Sequence, residues 1–265
     1  MDTPVRHMSS PSSPSAPPLG ASPASSLQLC HTADGRVECG IDEVARGCLL
    51  GRVYAGAVIW DRDRVPVLPP KVVIRDSKKM SAKQRTAAAA WIREHAVAYA
   101  VTYRDERSVE RDNILQATYR AMHAAVRELL AAETPSPQHL VVDGPRFPCF
   151  RTADGTYLYH SCVPRGDSTY FSIACAAILA KVEHDLYIQR LCDQYPALDT
   201  RYRLRSNVGY GSRAHREGIV QHGISQFHRT TFGLCAQHPC NPVSPVTVAS
   251  TSTTADDTET EATVV

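Results

Sequence analysis

The sequence predicts an α/β protein with a mixed central β-sheet flanked by helices. Strand-like runs come first and later ones alternate with one-sided helical stretches, an order that builds a sheet with helices packed on it. The chain has 265 residues, 43% of them hydrophobic, which is ample for one sizeable core and does not demand two domains. No apolar run approaches the roughly 18 residues of a membrane span.

Residues 39–41 and 53–60 are the first two strands, and Gly47 and Gly51 suit a hairpin turn between them. Ser81-Ala82-Lys83-Gln84 is a capping-box pattern, which starts a helix over residues 82–95. A third strand covers 97–103. Residues 113–130 are helical, with Ile114, Ala117, Ala121 and Ala124 on one face. A short apolar strand at 139–142 runs into Asp143. The long helix at 170–194 carries Ile173, Ala177 and Ala180 on one stripe, and a further helix covers 212–222.

The ends differ from this core. Residues 1–27 hold six Pro and eight Ser, and residues 242–265 hold four acids and no Lys or Arg. Such compositions bury too little surface to offset chain entropy. The expected division is a Pro/Ser-rich disordered tail (1–30), a folded domain (31–238) and an acidic, Thr-rich disordered tail (239–265). Residues 28–241 carry 28 basic and 22 acidic residues, a balance that suits an anionic partner. The N-terminal tail lacks the apolar stretch of a secretory signal, and has only Arg6 and no amphipathic pattern to suggest a transit peptide. Nine cysteines without a C-x-x-C pair read as reduced thiols of an intracellular protein, Cys175 being a small core residue.

Acids recur where strands end. Asp42-Glu43 closes the first strand, Asp143-Gly144 a later one, and Asp167 follows Arg165-Gly166 just before the long helix. Carboxylates at one sheet edge offer hard oxygen ligands, which suit Mg²⁺ or Mn²⁺ better than zinc. Phosphodiester hydrolysis can use such a set, because two divalent ions about 3.5–4 Å apart hold the attacking and leaving oxygens together. Singly, each acid is more simply a turn or cap residue, and Asp185 reads as a solvated helix face or a support to the site. Neighbouring strand residues point to opposite faces. Asp42 and Glu43 therefore share a site only if the strand twists off or the longer Glu arm curls around the edge.

Two basic stretches accompany the acids. Residues 71–85 carry six bases against Asp76, and residues 201–216 carry five Arg and no acid, with Tyr202 and Tyr210 among them. Such groups position phosphates, and a tyrosine ring stacks on a base or sugar, although two solvated surfaces would have the same composition. The histidines at 184, 215, 222 and 228 lack a ligand spacing; His228 with Arg229 suits a phosphate contact or a packed residue rather than zinc.

Together these segments resemble one family. CGIDEVARGCLLG resembles the GIDE-x-GRG-P-x-x-G opening of the type-two ribonucleases H (ribonuclease HII). IRDSKKMS, RDNILQATYRAM, VVDGPRF, RGDSTYFSIACAAILAKVEHD and GYGSRAHREGIVQHGISQFHRTTF are similar, in order, to that family's later blocks, from about residue 39 to 232. The resemblance implies a ribonuclease H-like fold with a C-terminal helical extension. It implies cleavage of RNA within RNA–DNA hybrids and incision 5′ to a ribonucleotide embedded in duplex DNA, giving a 3′-hydroxyl and a 5′-phosphate.

By the same resemblance, Asp42, Glu43, Asp143 and Asp167 would hold two ions, Mn²⁺ or Mg²⁺. Ala45-Arg46-Gly47 would read the ribose 2′-hydroxyl through backbone groups. Ala stands where the family has Gly, and supplies the same peptide groups only if that position does not need φ > 0. Tyr210 would stack beside the junction sugar, and Ser77, Lys78, Lys181 and Arg229 would face the phosphate backbone. Other departures are Arg165 for Lys and Cys48 for Pro. A monomer is expected, acting on hybrids and ribonucleotide-bearing duplexes wherever DNA is replicated, with no membrane and no named protein partner. Two rival classes are a non-catalytic hybrid-binding protein and a related metal-dependent DNA nuclease or resolvase. The first would be expected with one of the four acids replaced; the second has no use for a 2′-hydroxyl reader.

Overall fold

The computed structural model describes residues 27–132 and 134–246. Six strands form one sheet: β1 (Glu38–Val44), β2 (Val53–Ile59), β3 (Ala98–Arg104), β4 (His139–Asp143), β5 (Phe150–Arg151) and β6 (Tyr157–Val163). Their order is β3-β2-β1-β4-β6-β5. The first three pair antiparallel, β1, β4 and β6 run parallel, and β5 is an antiparallel edge. The helices are α1 (Ala82–His95), α2 (Glu106–Asp112), α3 (Ile114–Ala131), α4 (Phe171–Gln194), α5 (Pro196–Tyr202), α6 (Leu204–Asn207) and α7 (Arg213–His222). No described helix is long and apolar enough to cross a membrane.

The expected mixed sheet is present, with all four strands and four helices within a few residues of their expected bounds. Ser81 closes the predicted capping box with Gln84. Asn113 and Ser212, expected as first helical residues, are instead the caps: Asn113 Oδ1 accepts the amides of Leu115 and Gln116, and Ser212 Oγ that of His215. β6 escaped the sequence reading because Tyr157 and Tyr159 are exposed and no residue of the strand is fully buried, so no alternation marks it. The short α2, α5 and α6 offer too few turns for a periodic signal.

The domain bounds move outward. Gln28 is bridged to Tyr170, with Gln28 N–H donating to Thr169 O at 2.8 Å and Phe171 N–H to Gln28 O at 2.9 Å. Ile224 pairs with Cys240, and Val243 is buried against the C-terminal helices. Residues 27–30 and 239–246 thus belong to the folded body, not to the tails. The rest of the expected tails, 1–26 and 247–265, lies outside the described residues.

Three layers result. One core lies between the sheet and α1 with α4, containing Val44, Val58, Trp60, Trp91 and, from α4, residues 174–176 and 178–180. A second lies on the other face, with Cys39, Ile41, Leu140 and Val142 against Ala121, Val126 and Leu129 of α3. A third packs α5–α7 around the end of α4. Every residue of α4 from Phe171 to Val182 is buried, so this segment is clasped on all sides and shows little amphipathicity. Its approach to the sheet is set by two glycines. A Cβ at Gly40 would overlap the backbone of Ser172 and Ile173, and one at Gly56 would overlap the Ala176 carbonyl. Gly56→Ala therefore forces α4 off the sheet. It is expected to cost about 3 kcal/mol, the upper range for overpacking, seen as a lower denaturant midpoint; an unchanged midpoint would contradict the close contact.

Candidate active site

The last residue pair joining β1 and β4 is Ile41 with Val142. One residue further along each strand stand Asp42 and Asp143. β1 stays paired to β2 as far as Val44 with Tyr54, so the strand does not twist off. Alternation sends Asp42 to the α4 face and Glu43 to the α3 face. Yet oxygens of Asp42, Glu43 and Asp143 all lie within 4.8 Å of one another. The Glu43 arm curls around the edge left open where β1 loses its β4 partner, the second of the two geometries expected from the sequence.

Backbone amides hold the group in place. Glu43 N–H donates to Asp42 Oδ1 at 2.6 Å, and Gly166 N–H to Asp143 Oδ1 at 2.6 Å. Arg165 adopts φ 61, a left-handed conformation that costs energy for a residue with a Cβ; it leads into the short 3₁₀ turn Gly166–Ser168 that presents this amide. Asp167, the fourth expected acid, is buried in that turn. It stands near the three but outside their tight group.

The electrostatics are unfavourable without a cation. Burial, then the charges of Glu43 and Asp143, push the Asp42 carboxyl well above the ordinary carboxylate range. Burial raises Glu43 against the pull of Arg46, whose Nη1 lies 3.2 Å from Glu43 Oε1. Burial, Asp143 and Asp76 raise Asp167, with Lys78 opposing. Asp76, which composition shows only as the lone acid of a basic stretch, caps the turn Ser77–Lys79. Buried carboxylates that repel one another and have only oxygen donors fit a hard divalent cation, which would relieve the repulsion.

Beside the acids the chain turns through Ala45-Arg46-Gly47, with Cys48 N–H donating to Ala45 O at 3.3 Å. Arg46 and Gly47 are exposed. Ala45 sits at φ 72, so the position does need φ > 0 and the alanine is strained. Gly47 has no such φ, and a Cβ there would meet no atom within 4 Å. The fold does not require glycine at this tip, and leaves the space beside it open.

Arg229 is a correction. Expected to face a phosphate backbone, it is fully buried. Its guanidinium donates to the carbonyls of Arg46, Cys48, Gly51 and Arg52 at 2.9–3.0 Å. Five donors in a rigid fork suit this fan of carbonyls, and the side chain moulds the turn from within. Ser77 is likewise buried, its carbonyl taken by Arg85 Nη1 at 3.2 Å, so of that pair only Lys78 faces outward.

Lys181 Nζ lies 2.7 Å from Asp185 Oδ1 and 5.3 Å from the centre of the Tyr210 ring. Tyr210 is partly exposed, and its backbone is bridged to Cys48 at the end of the Ala45 turn. Asp185 also receives Arg85 at 3.1 Å and faces His184 Nδ1 at 3.1 Å. Arg85 in turn donates to Met80 O at 2.5 Å. Burial would raise Asp185, but its bonds to His184 and Lys181 hold it below the ordinary range. Asp185 thus supports the site, tying the Lys78 turn to Lys181.

Such a sheet, with clustered carboxylates at the ends of neighbouring parallel strands and a basic rim, defines a metal-dependent nuclease architecture. The family model for ribonuclease HII matches residues 39–235. The chain is 40% identical over 208 residues to ribonuclease HII of Parabacteroides distasonis, covering 78% of this chain and 96% of that one. It is 41% identical over 198 residues to the Bacteroides fragilis protein of the same name, covering 75% and 90%. The solved ribonuclease H2 of Pyrococcus horikoshii OT3 shares the fold, with TM-score 0.59 and 20% identity over 76% of this chain and 95% of that one. The chain belongs to the ribonuclease HII family, and is a ribonuclease H endonuclease.

Two substitutions check this geometry. Ala45→Gly relieves about 1–2 kcal/mol of left-handed strain but exposes a cavity worth about 0.8 kcal/mol where the methyl was buried. The expected outcome in chemical denaturation is a net gain of up to about 1 kcal/mol, with cleavage matched or improved; a clear loss of activity would mean that the methyl itself shapes the turn. Arg229→Met keeps most of the volume but strands four carbonyls, and should cost about 3 kcal/mol or more, with the melting temperature falling accordingly.

Proposed function

We propose that this protein hydrolyses the RNA strand of RNA–DNA hybrids and also incises 5′ to a single ribonucleotide embedded in duplex DNA. The observation that carries this reading is the meeting of Asp42, Glu43 and Asp143 beside the open Arg46-Gly47 tip. In this reading Asp42, Glu43, Asp143 and Asp167 hold two divalent ions, Mn²⁺ or Mg²⁺. When bound, such ions stabilise charge on the attacking and leaving oxygens of an in-line displacement.

The chain's own groups do the rest. Asp42, buried between its two neighbours, would hold a cation from the α4 face, while Glu43 would reach in from the opposite face. The Gly166 amide fixes the carboxylate of Asp143. The peptide groups of the Ala45-Arg46-Gly47 turn, exposed at Arg46 and Gly47, read the ribose 2′-hydroxyl, a group absent from DNA. Tyr210 stacks beside the sugar at the junction. Lys78, exposed, positions phosphates without reading sequence; Lys181, buried and paired with Asp185, joins the buried Ser77 and Arg229 in holding the site from behind. In this reading the protein acts as a monomer, wherever ribonucleotides enter replicated DNA.

The test is a duplex carrying one ribonucleotide, assayed with Mn²⁺ and with Mg²⁺ beside an all-DNA duplex. The expected outcome is cleavage 5′ to the ribonucleotide only; equal cutting of the all-DNA duplex would overturn the reading. Asp42→Asn should bind the duplex yet turn over about 10³-fold more slowly, the equivalent of several kcal/mol. In the metal-free state this variant should melt higher than the parent, because one of three crowded carboxylates is gone, and Mn²⁺ should raise its melting temperature less.

A further inference from the structure

Two histidines in the C-terminal helical unit are fully buried and belong to no metal cluster among the described residues. His215 Nε2 and His228 Nε2 are 3.1 Å apart. The Ser225 amide lies 2.9 Å from His228 Nδ1, and the Tyr210 carbonyl lies 2.9 Å from His215 Nδ1. These neighbours determine where the protons are. An amide N–H can only donate, so His228 Nδ1 must present its lone pair and Nε2 must carry the hydrogen. A carbonyl can only accept, so His215 must carry its hydrogen on Nδ1, which leaves its Nε2 as the acceptor for His228. One chain of bonds therefore runs in one direction: Ser225 N–H to His228, His228 Nε2–H to His215, His215 Nδ1–H to Tyr210 O.

Each end of this chain is tied to the substrate-reading elements. The Tyr210 carbonyl, which also accepts Ser212 N–H at 2.8 Å, is the backbone of the residue whose ring lies against Lys181 Nζ. His228 is bridged to Leu50, and the next residue, Arg229, holds the Ala45 turn through its carbonyls and donates its own N–H to Leu49 O at 2.9 Å. Leu49 N–H donates to Gly209 O at 2.9 Å. The Tyr202 ring closes the pair in from the side, its centroid 4.7 Å from that of His228. An apolar pair of similar volume would fill the space but would leave the Tyr210 carbonyl without its second donor.

We infer that His215 and His228 are positioning residues, forming a relay of neutral imidazoles that holds Tyr210 in register with the Ala45-Arg46-Gly47 turn, so that stacking on the sugar and reading of its 2′-hydroxyl occur together. Burial and the facing His215 hold the His228 imidazole down at about 3, in keeping with a neutral ring. The inference rests on the assignment of Tyr210 to the junction sugar.

A double-mutant cycle tests it, reading kcat/KM on the one-ribonucleotide duplex for the full chain. His215→Leu should lower kcat/KM about tenfold, the loss of one directional hydrogen bond. In a Tyr210→Ala background the same substitution should change it less than about twofold. His215→Asn, whose amide can donate near the Nδ1 position, should recover most of the loss. Equal losses in both backgrounds would overturn the relay and leave the Tyr210 assignment standing. Tyr210→Ala without effect would overturn that assignment and the relay with it. Should His215→Leu melt below the assay temperature, ¹⁵N chemical shifts of the histidines in the unmodified protein decide. Nδ1–H on His215 and Nε2–H on His228 are expected, and the opposite tautomer on either ring overturns the relay.

Discussion

The contact on which the rest of the molecule depends is the approach of α4 to the β1–β2 pair across Gly40 and Gly56. With no side chain on either glycine, helix backbone meets strand backbone directly. The strand face that receives α4 also carries Asp42, two residues beyond Gly40. The helix that presses on it carries Lys181 and Asp185 about one and a half and two and a half turns beyond Ala176. Burial of the central carboxylate and placement of the basic support are thus consequences of the same packing.

That burial works against stability in the absence of cations. Asp42 is nearly inaccessible and has two acids as neighbours, where a core would favour an apolar residue. The compensation is local: amides from Glu43 and Gly166, one guanidinium from Arg46, and Lys78 at the rim. The strain at Ala45 and Arg165 is concentrated in the same place. A folded body of three packed layers can carry such costs, and sites that bind charged ligands commonly do.

Around the acids, the neighbouring turns and basic side chains are held from behind. Arg229 gathers four carbonyls of one loop, and Asp185 gathers Arg85, His184 and Lys181. The sequence by itself leaves Asp185 as a solvated helix face or a support and Arg229 as a phosphate contact or a packed residue, and the family resemblance turns Arg229 toward the phosphate backbone. Its direction is decided by the carbonyls left free where the chain after β1 turns without forming a ladder. A charge so placed is an internal strut, and no local pattern distinguishes it from a phosphate contact.

Local chemistry determined a good part of this protein in advance. Capping at Ser81, the apolar faces of 113–130 and 139–142, and the acids closing two strands follow from side-chain periodicity and hydrogen-bonding capacity, which are properties of neighbouring residues. Other features needed the assembled chain. β6 has no buried alternation because it lies next to a two-residue edge strand, and the segments 27–30 and 239–246 are held by partners outside themselves, Thr169 and Phe171 for the first and Ile224, Gln226 and Gln194 for the second. Whether Glu43 could join Asp42 turned on where the β1–β4 ladder ends, and whether Ala45 is strained turned on its φ. The last two depend on contacts between residues a hundred or more positions apart, Ile41 with Val142 and Arg46 with Arg229, whose free energy is expressed only once the chain has closed on itself.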